Sequence, residues 1–219
     1  MEVSGADAAA YLQGQLSQDV EAMAVGETSW TYVLSPNGHI DAFARIYRTG
    51  DDAFALEVDA GYGDALEARL RRFLLRTKAT IAVTPATAVA SDHDEAARIR
   101  EGRPAMGRDI DERSVPAEIG WLDRAVSFTK GCYTGQELVA RMDSRVAEPP
   151  RRLVRVTVAG AARAGDEIAA DGTAVGSVTS AAAVDDGAVA LGYVKRGTDL
   201  TGTVTVAGGA ARVEGLAGA

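Results

Sequence analysis

One cysteine and two histidines are all that 219 residues supply of the commonest soft metal ligands, and aromatics make up only 5% of the chain. A single thiol, Cys132, excludes an intramolecular disulfide and fits a reducing compartment. It also excludes a self-contained cysteine zinc site or iron–sulfur cluster, each of which takes about four ligands. No metal site is expected. A Ser-His-Asp or Cys-His device would have to use His39 or His93, and neither lies beside a partner motif. No run approaches the roughly 18 apolar residues of a membrane-spanning helix. The start, Met1-Glu2-Val3-Ser4-Gly5, lacks the basic residues and apolar stretch of a secretory signal, so the cytoplasm is the expected location. Positive charge is also short, with 23 Lys and Arg against 31 Asp and Glu and a net charge of −8. Such a chain has no global field to draw nucleic acid or an anionic membrane.

What is present suffices for a core, because 47% of the residues are hydrophobic and 25% charged. Ser4-Gly5-Ala6-Asp7, a serine N-cap with an acidic residue three later, reads as a helix start, and Ala8, Leu12 and Leu16 recur every four residues as an amphipathic helix does. Ser29 to Leu34 reads as a strand ending in the turn Ser35-Pro36-Asn37-Gly38. Ile40 to Tyr47 and Ala53 to Val58, joined by Thr49-Gly50-Asp51-Asp52, form a hairpin by their turn chemistry. Asp64 to Leu75 predicts a helix with Leu66, Leu70, Phe73 and Leu74 on one face, and Lys78 to Val83 a strand. A weakly patterned connector covers about 85–97. Ala125 to Phe128 predicts a short strand and Gly135 to Ser144 a helix.

Pro149-Pro150 stops that helix. Beyond it come short Val- and Thr-rich runs separated by glycines: Leu153 to Val158, Ala174 to Thr179, Val189 to Val194 and Thr203 to Val206. Regular short strands of this kind predict a small antiparallel barrel or sandwich. The expected class is α+β, with an α+β region over residues 1–149 and a small barrel over 150–219.

The stretch richest in chemistry is Lys130-Gly131-Cys132-Tyr133-Thr134-Gly135-Gln136-Glu137. Thr134 and Glu137 have capping-box spacing, in which the Thr hydroxyl accepts from the Glu137 N–H and the carboxylate reaches back. Cys132 then precedes a helix start, where unpaired N–H groups and the helix dipole favour a thiolate, and Lys130 adds a cation. The competing reading is a buried structural cysteine. The flanking glycines favour close approach by a ligand or partner.

This motif, continued by Val139-Ala140-Arg141, resembles the signature of the YgfZ family, a branch of the aminomethyltransferase (glycine-cleavage T-protein) superfamily. Further blocks follow in order. Val3-Ser4-Gly5-Ala6-Asp7 with Leu12-Gln13-Gly14-Gln15-Leu16 and Asp19-Val20 is similar to the family's N-terminal block, and Ser35-Pro36-Asn37-Gly38-His39 to its Pro-x-Gly turn. Arg98-Ile99-Arg100-Glu101-Gly102 with Pro116-Ala117-Glu118 resembles a block shared with T-proteins. Ala174 to Ser180 and Ala190 to Val194 resemble its C-terminal barrel.

The resemblance implies a T-protein-like fold and a tetrahydrofolate-binding accessory protein that keeps iron–sulfur enzymes active, with Cys132 as its working thiol. Its partners would be a reduced folate and iron–sulfur client or assembly proteins, and any link to tRNA modification would be indirect. Glu101 takes the place of a glutamate that contacts the pterin in T-proteins. A carboxylate suits that edge, since the pterin amino group and ring N–H form a pair of donors. Where T-proteins carry an aspartate after the Pro-x-Gly turn, this chain has Ala42 and Phe43, with Asp41 offset. A one-residue offset on a strand turns a side chain to the other face. Aminomethyl transfer is therefore not expected. The chain also runs shorter than the family between about Val83 and Arg98.

Other residues admit two readings. Trp30, Tyr32 and Trp121 can stack on a pterin or benzoyl ring, or fill a core. Arg141, Arg145, Arg151 and Arg152 can pair with folate's glutamate tail, or form a solvated face. The folate-binding set expected from sequence is Glu101, Trp121, Tyr32 and Arg141. Two other functions compete with the accessory role: a folate-dependent aminomethyltransferase-like enzyme, and a degenerate scaffold that binds nothing.

Overall fold

Helices and strands are mixed up to Asp143, and from Arg151 onward the described elements are strands alone. The computed structural model describes residues 1–83, 95–143 and 148–216. In chain order its elements are β1 (Glu2–Ser4), α1 (Ala8–Gln15), β2 (Thr28–Leu34), β3 (Ile40–Gly50), β4 (Ala53–Val58), α2 (Gly63–Arg71) and β5 (Thr80–Ala82). Then come α3 (Glu95–Glu101), α4 (Pro116–Ile119), α5 (Leu122–Ala125), α6 (Gln136–Asp143), β6 (Arg151–Val158), β7 (Glu167–Ala170), β8 (Thr173–Val184), β9 (Gly187–Lys195), β10 (Val204–Val206) and β11 (Gly209–Gly215). No helix among the described residues is long and apolar enough to cross a membrane.

The chain divides into two compact units, one of Met1–Thr87, Glu112–Pro116 and Leu122–Ser144, the other of Ala88–Asp111, Ala117–Trp121 and Arg145–Ala219. The first is built on a five-stranded sheet in the order β2-β3-β4-β1-β5. The predicted hairpin is present, and its Gly50–Ala53 turn carries a register shift after Arg48 that extends β3 past Tyr47. Val3, Leu12, Leu16, Ile46, Phe54, Leu66 and Leu70 form the core beneath it. Tyr11 reaches across this core to donate to the Leu70 carbonyl at 2.5 Å.

Three local details depart from the sequence reading. Ser4 lies in β1 and does not cap α1; the N-cap position falls to Asp7, which makes no side-chain cap bond. Its carboxylate instead accepts the Lys78 N–H at 2.7 Å, which ties the helix start to the chain ahead of β5. Helix α2 stops at Arg71, and Phe73 is 40% exposed instead of lining the core. Two short i→i+3 bonds, Phe73 N–H to Leu70 and Leu74 N–H to Arg71, tighten the chain out of helical register. No strand forms at Ala125 to Phe128: α5 ends at Ala125, the Val126 N–H bonds back to Leu122, and the chain continues without regular structure, its Ser127 N–H donating to the Ser17 carbonyl.

The second unit holds a closed six-stranded antiparallel barrel in the order β10-β11-β6-β9-β8-β7. Val154, Val156 and Val158 of β6 fill it together with Ile168, Val178, Ala190, Val194 and Val206. Closure removes both sheet edges. The unit reaches back beyond the linear boundary expected at residue 150 because Asp109 is pinned to the barrel. The residue is 1% exposed, and its carboxylate accepts from Ser180 Oγ at 2.7 Å, Thr179 Oγ1 at 2.5 Å, the Ala105 N–H at 2.9 Å and Arg98 Nη1 at 2.8 Å. Tyr193 Oη donates to the Asp109 carbonyl at 2.8 Å. The connector reading over 85–97 lies outside the described residues up to 94, and from Glu95 the chain is helical.

Candidate functional site

The loop carrying Cys132 is fastened on both sides, within the first unit. Upstream, Lys130 Nζ donates to the carbonyls of Gln13, Leu16 and Gln18 at 2.6, 2.7 and 2.8 Å. An ammonium has three N–H donors, and all three are used. These carbonyls lie at and beyond the C-terminal end of α1, where helix geometry leaves acceptors unmet and the dipole favours a cation. Burial pushes Lys130 down to about 8 against the opposing pull of Asp19 and Glu21. The Tyr133 ring lies 5.0 Å from its ammonium, and burial pushes the Tyr133 phenol up to about 12.

Downstream, the Thr134 N–H donates to the Gly14 carbonyl at 3.2 Å. Gly135 has φ +81°, and a Cβ there would lie 2.5 Å from the Ser35 carbonyl oxygen and 2.7 Å from Leu34 Cβ. Gly38, at φ +82°, faces Leu138 of α6 so closely that a Cβ would meet the Leu138 Cβ at 2.6 Å. The helix start is thus seated on the Ser35-Pro36-Asn37-Gly38 turn, itself closed by a Gly38 N–H to Ser35 carbonyl bond of 2.9 Å. Between these two anchors Cys132 is exposed.

The geometry differs from the capping-box expectation. Helix α6 begins at Gln136, and it is the Gln136 side chain that reaches back, its Oε1 accepting the Tyr133 N–H at 3.1 Å. Glu137 points to solvent, 3.9 Å from Arg141 one turn on. Lys130 likewise spends its donors on backbone carbonyls rather than on the sulfur. Sequence spacing locates the motif but does not show where its side chains turn. A lysine two residues from a cysteine reads as an activator until its acceptors are known.

The remaining residues fall in both units. Tyr32 is fully buried, its ring 5.2 Å from Phe43, and Trp30 stacks on the same phenylalanine at 4.8 Å and 12°. Trp121 is 2% exposed and donates its indole N–H to the Gly102 carbonyl at 2.8 Å. Tyr32 and Trp121 therefore occupy core positions of the kind the sequence offered as the alternative to stacking. Glu101 closes α3 with its carboxylate half-exposed, 3.8 Å from Arg103. Arg141 is exposed on α6. Of the basic cluster, Arg145 lies outside the described residues. Arg151 pairs with Glu118 at 3.1 Å and sits 4.1 Å above the Tyr193 ring.

Sequence reading missed Arg69. Its guanidinium donates to Asp41 Oδ2 at 3.2 Å, Gln15 Oε1 at 3.1 Å and the Leu34 carbonyl at 2.9 Å. The carboxylate nearest the place of the T-protein aspartate is thus held in an ion pair. An arginine among the four of α2 and its end carries no sequence mark that would single it out. Among the described residues, no group of three or more His, Cys, Asp and Glu side chains is placed to hold a metal ion.

No protein-family model matches the chain. An uncharacterised protein of Haemophilus influenzae is 28% identical over 229 residues, covering 84% of this chain and 82% of that protein. An aminomethyltransferase of Nostoc is 31% identical over 183 residues, covering 81% of this chain but 44% of its own length. In three dimensions the chain superposes on glycine cleavage system aminomethyltransferase T of Bartonella henselae with a TM-score of 0.81. That superposition covers 98% of this chain and 82% of the other, at 20% identity. The chain is a homologue of the aminomethyltransferases and has the fold of aminomethyltransferase T.

Proposed function

We propose that this chain is a tetrahydrofolate-binding accessory protein of the YgfZ type, which serves iron–sulfur proteins through Cys132 and does not transfer aminomethyl groups. The observation that carries the reading is the exposed sulfur on a loop fixed at both ends. Lys130 fixes one side and Thr134 with Gly135 the other, so the thiol is presented to another molecule instead of being packed away. One thiolate supplies one ligand, and a cluster in transit needs its remaining ligands from a client, a second copy or a small thiol. Homology to aminomethyltransferases supports the folate half of the reading. The donor edge of the pterin calls for a carboxylate, and Glu101 offers one that is half-exposed.

The Arg69–Asp41 pair argues against a transferase. The Asp41 carboxylate already accepts from the Arg69 guanidinium at 3.2 Å and is committed to that structural partner.

A cell lacking its own protein of this kind tests the reading through the activity of its iron–sulfur enzymes. Cys132→Ser is expected to fold and to bind folate yet to restore none of that activity. Full restoration by the serine variant would remove Cys132 from the account.

A further inference from the structure

The densest positive charge in this acidic chain lies elsewhere. Arg69-Leu70-Arg71-Arg72-Phe73-Leu74-Leu75-Arg76-Thr77-Lys78 holds five cations and no carboxylate, although the chain as a whole carries −8. Leu70 and Leu74 belong to the core, but Phe73 is 40% and Leu75 82% exposed. Guanidinium groups flank the Phe73 ring, Arg69 at 4.4 Å and Arg72 at 5.9 Å.

Arg69 and Arg71 are already spoken for, by Asp41 and Glu67 respectively. Arg72, Arg76 and Lys78 are exposed, and among the described residues no carboxylate pairs with any of them. Arg76 also has φ 60°, a conformation that side chains other than glycine adopt only at a cost, and it follows directly on Leu75. The chain thus holds an apolar tip in water on a strained turn, with three exposed cations within three residues of it that pair with no described carboxylate.

We propose that residues 69–78 form a docking surface for an acidic segment of a partner protein, with Leu75 and Phe73 as apolar anchors and Arg72, Arg76 and Lys78 pairing with its carboxylates. Planar guanidinium groups match carboxylates two bonds at a time, and arginine and aromatic residues are enriched where interfaces are buried. An anionic membrane fits less well. Surface binding scales with inserted apolar area, two side chains offer little, and the rest of a chain at −8 is repelled. This surface goes beyond the folate and Cys132 reading and stands without it.

A fluorescent synthetic peptide alternating glutamate with leucine tests it by anisotropy, against the same peptide with glutamine for glutamate and against phosphatidylserine–phosphatidylcholine vesicles in a sedimentation assay. The acidic peptide is expected to bind with a salt-dependent affinity, and the glutamine peptide at least tenfold more weakly. Both Leu75→Ser and the double substitution Arg72→Glu with Arg76→Glu are expected to cost at least tenfold. All these side chains are exposed, so circular dichroism should show the variants folded. Three results would each overturn the proposal: no peptide binding at millimolar concentration, equal binding by wild type and variants, or vesicle binding that depends on the same residues.

Discussion

With three carbonyls around its ammonium, Lys130 has no proton left for the sulfur two residues away. Its effect on Cys132 runs through the backbone, by holding the loop. Lys130→Met keeps the unbranched stem, one atom shorter, and removes the three bonds, leaving half-buried carbonyls unmet. A loss of roughly 1–3 kcal/mol is expected in urea unfolding. Gly135→Ala strikes the other anchor, since φ +81° and a 2.5 Å approach to the Ser35 oxygen leave no room for a methyl group. A similar loss, about 1–3 kcal/mol, is expected there, with greater hydrogen exchange at Thr134 and its neighbours. At this scale the sequence marked the residues better than their partners. Glycines in unusual positions and a lysine beside a cysteine are visible as letters. The choice of Gln136 over Glu137 to reach back, and of Leu16 over Cys132 as a partner for Lys130, depends on where the loop meets α1.

At the scale of elements, strands with strong alternation were readable and weak ones were not. Val-rich β6 and β9 and the β3–β4 hairpin lie close to where their patterns predict. Strands β7 and β11, Glu-Ile-Ala-Ala and Gly-Ala-Ala-Arg-Val-Glu-Gly, owe their state to pairing across the barrel with β10, β8 and β6 rather than to their own composition. The division into units was likewise hidden, because one buried aspartate far from the barrel in sequence joins Arg98 to Thr179 and Ser180. Asp109→Asn keeps the shape but strips the buried Arg98 of a counter-charge, and Glu95 remains as its other acidic partner. We expect a loss of about 3 kcal/mol, seen as a lower melting temperature of the barrel-containing unit.

The whole molecule reports on its buried groups through pH. Burial brings Lys130 from its ordinary 10.5 to about 8, so between these values the unfolded chain holds a proton that the folded chain has released. Where the unfolded state binds more protons, stability rises with pH. The phenols act in the opposite direction. Burial raises both Tyr11 and Tyr133 from 10.0 to about 12, so the unfolded chain loses protons first and stability falls as pH climbs through that window. Urea titrations from pH 7 to 11.5 are expected to show a rise from about 8 and a decline above about 10. Lys130→Met should remove the rise and leave the decline.

The fold and the place of the motif were legible because both rest on patterns that recur along the chain. Whether a ligand is held rests on side chains that only a binding measurement interrogates. Calorimetric titration of the protein with tetrahydrofolate, repeated with Glu101→Ala, is the direct measurement. The account predicts binding tighter than about 1 mM, roughly −4 kcal/mol, and at least tenfold weaker binding by the variant. No heat of binding at millimolar folate, or the same affinity in both proteins, would contradict it.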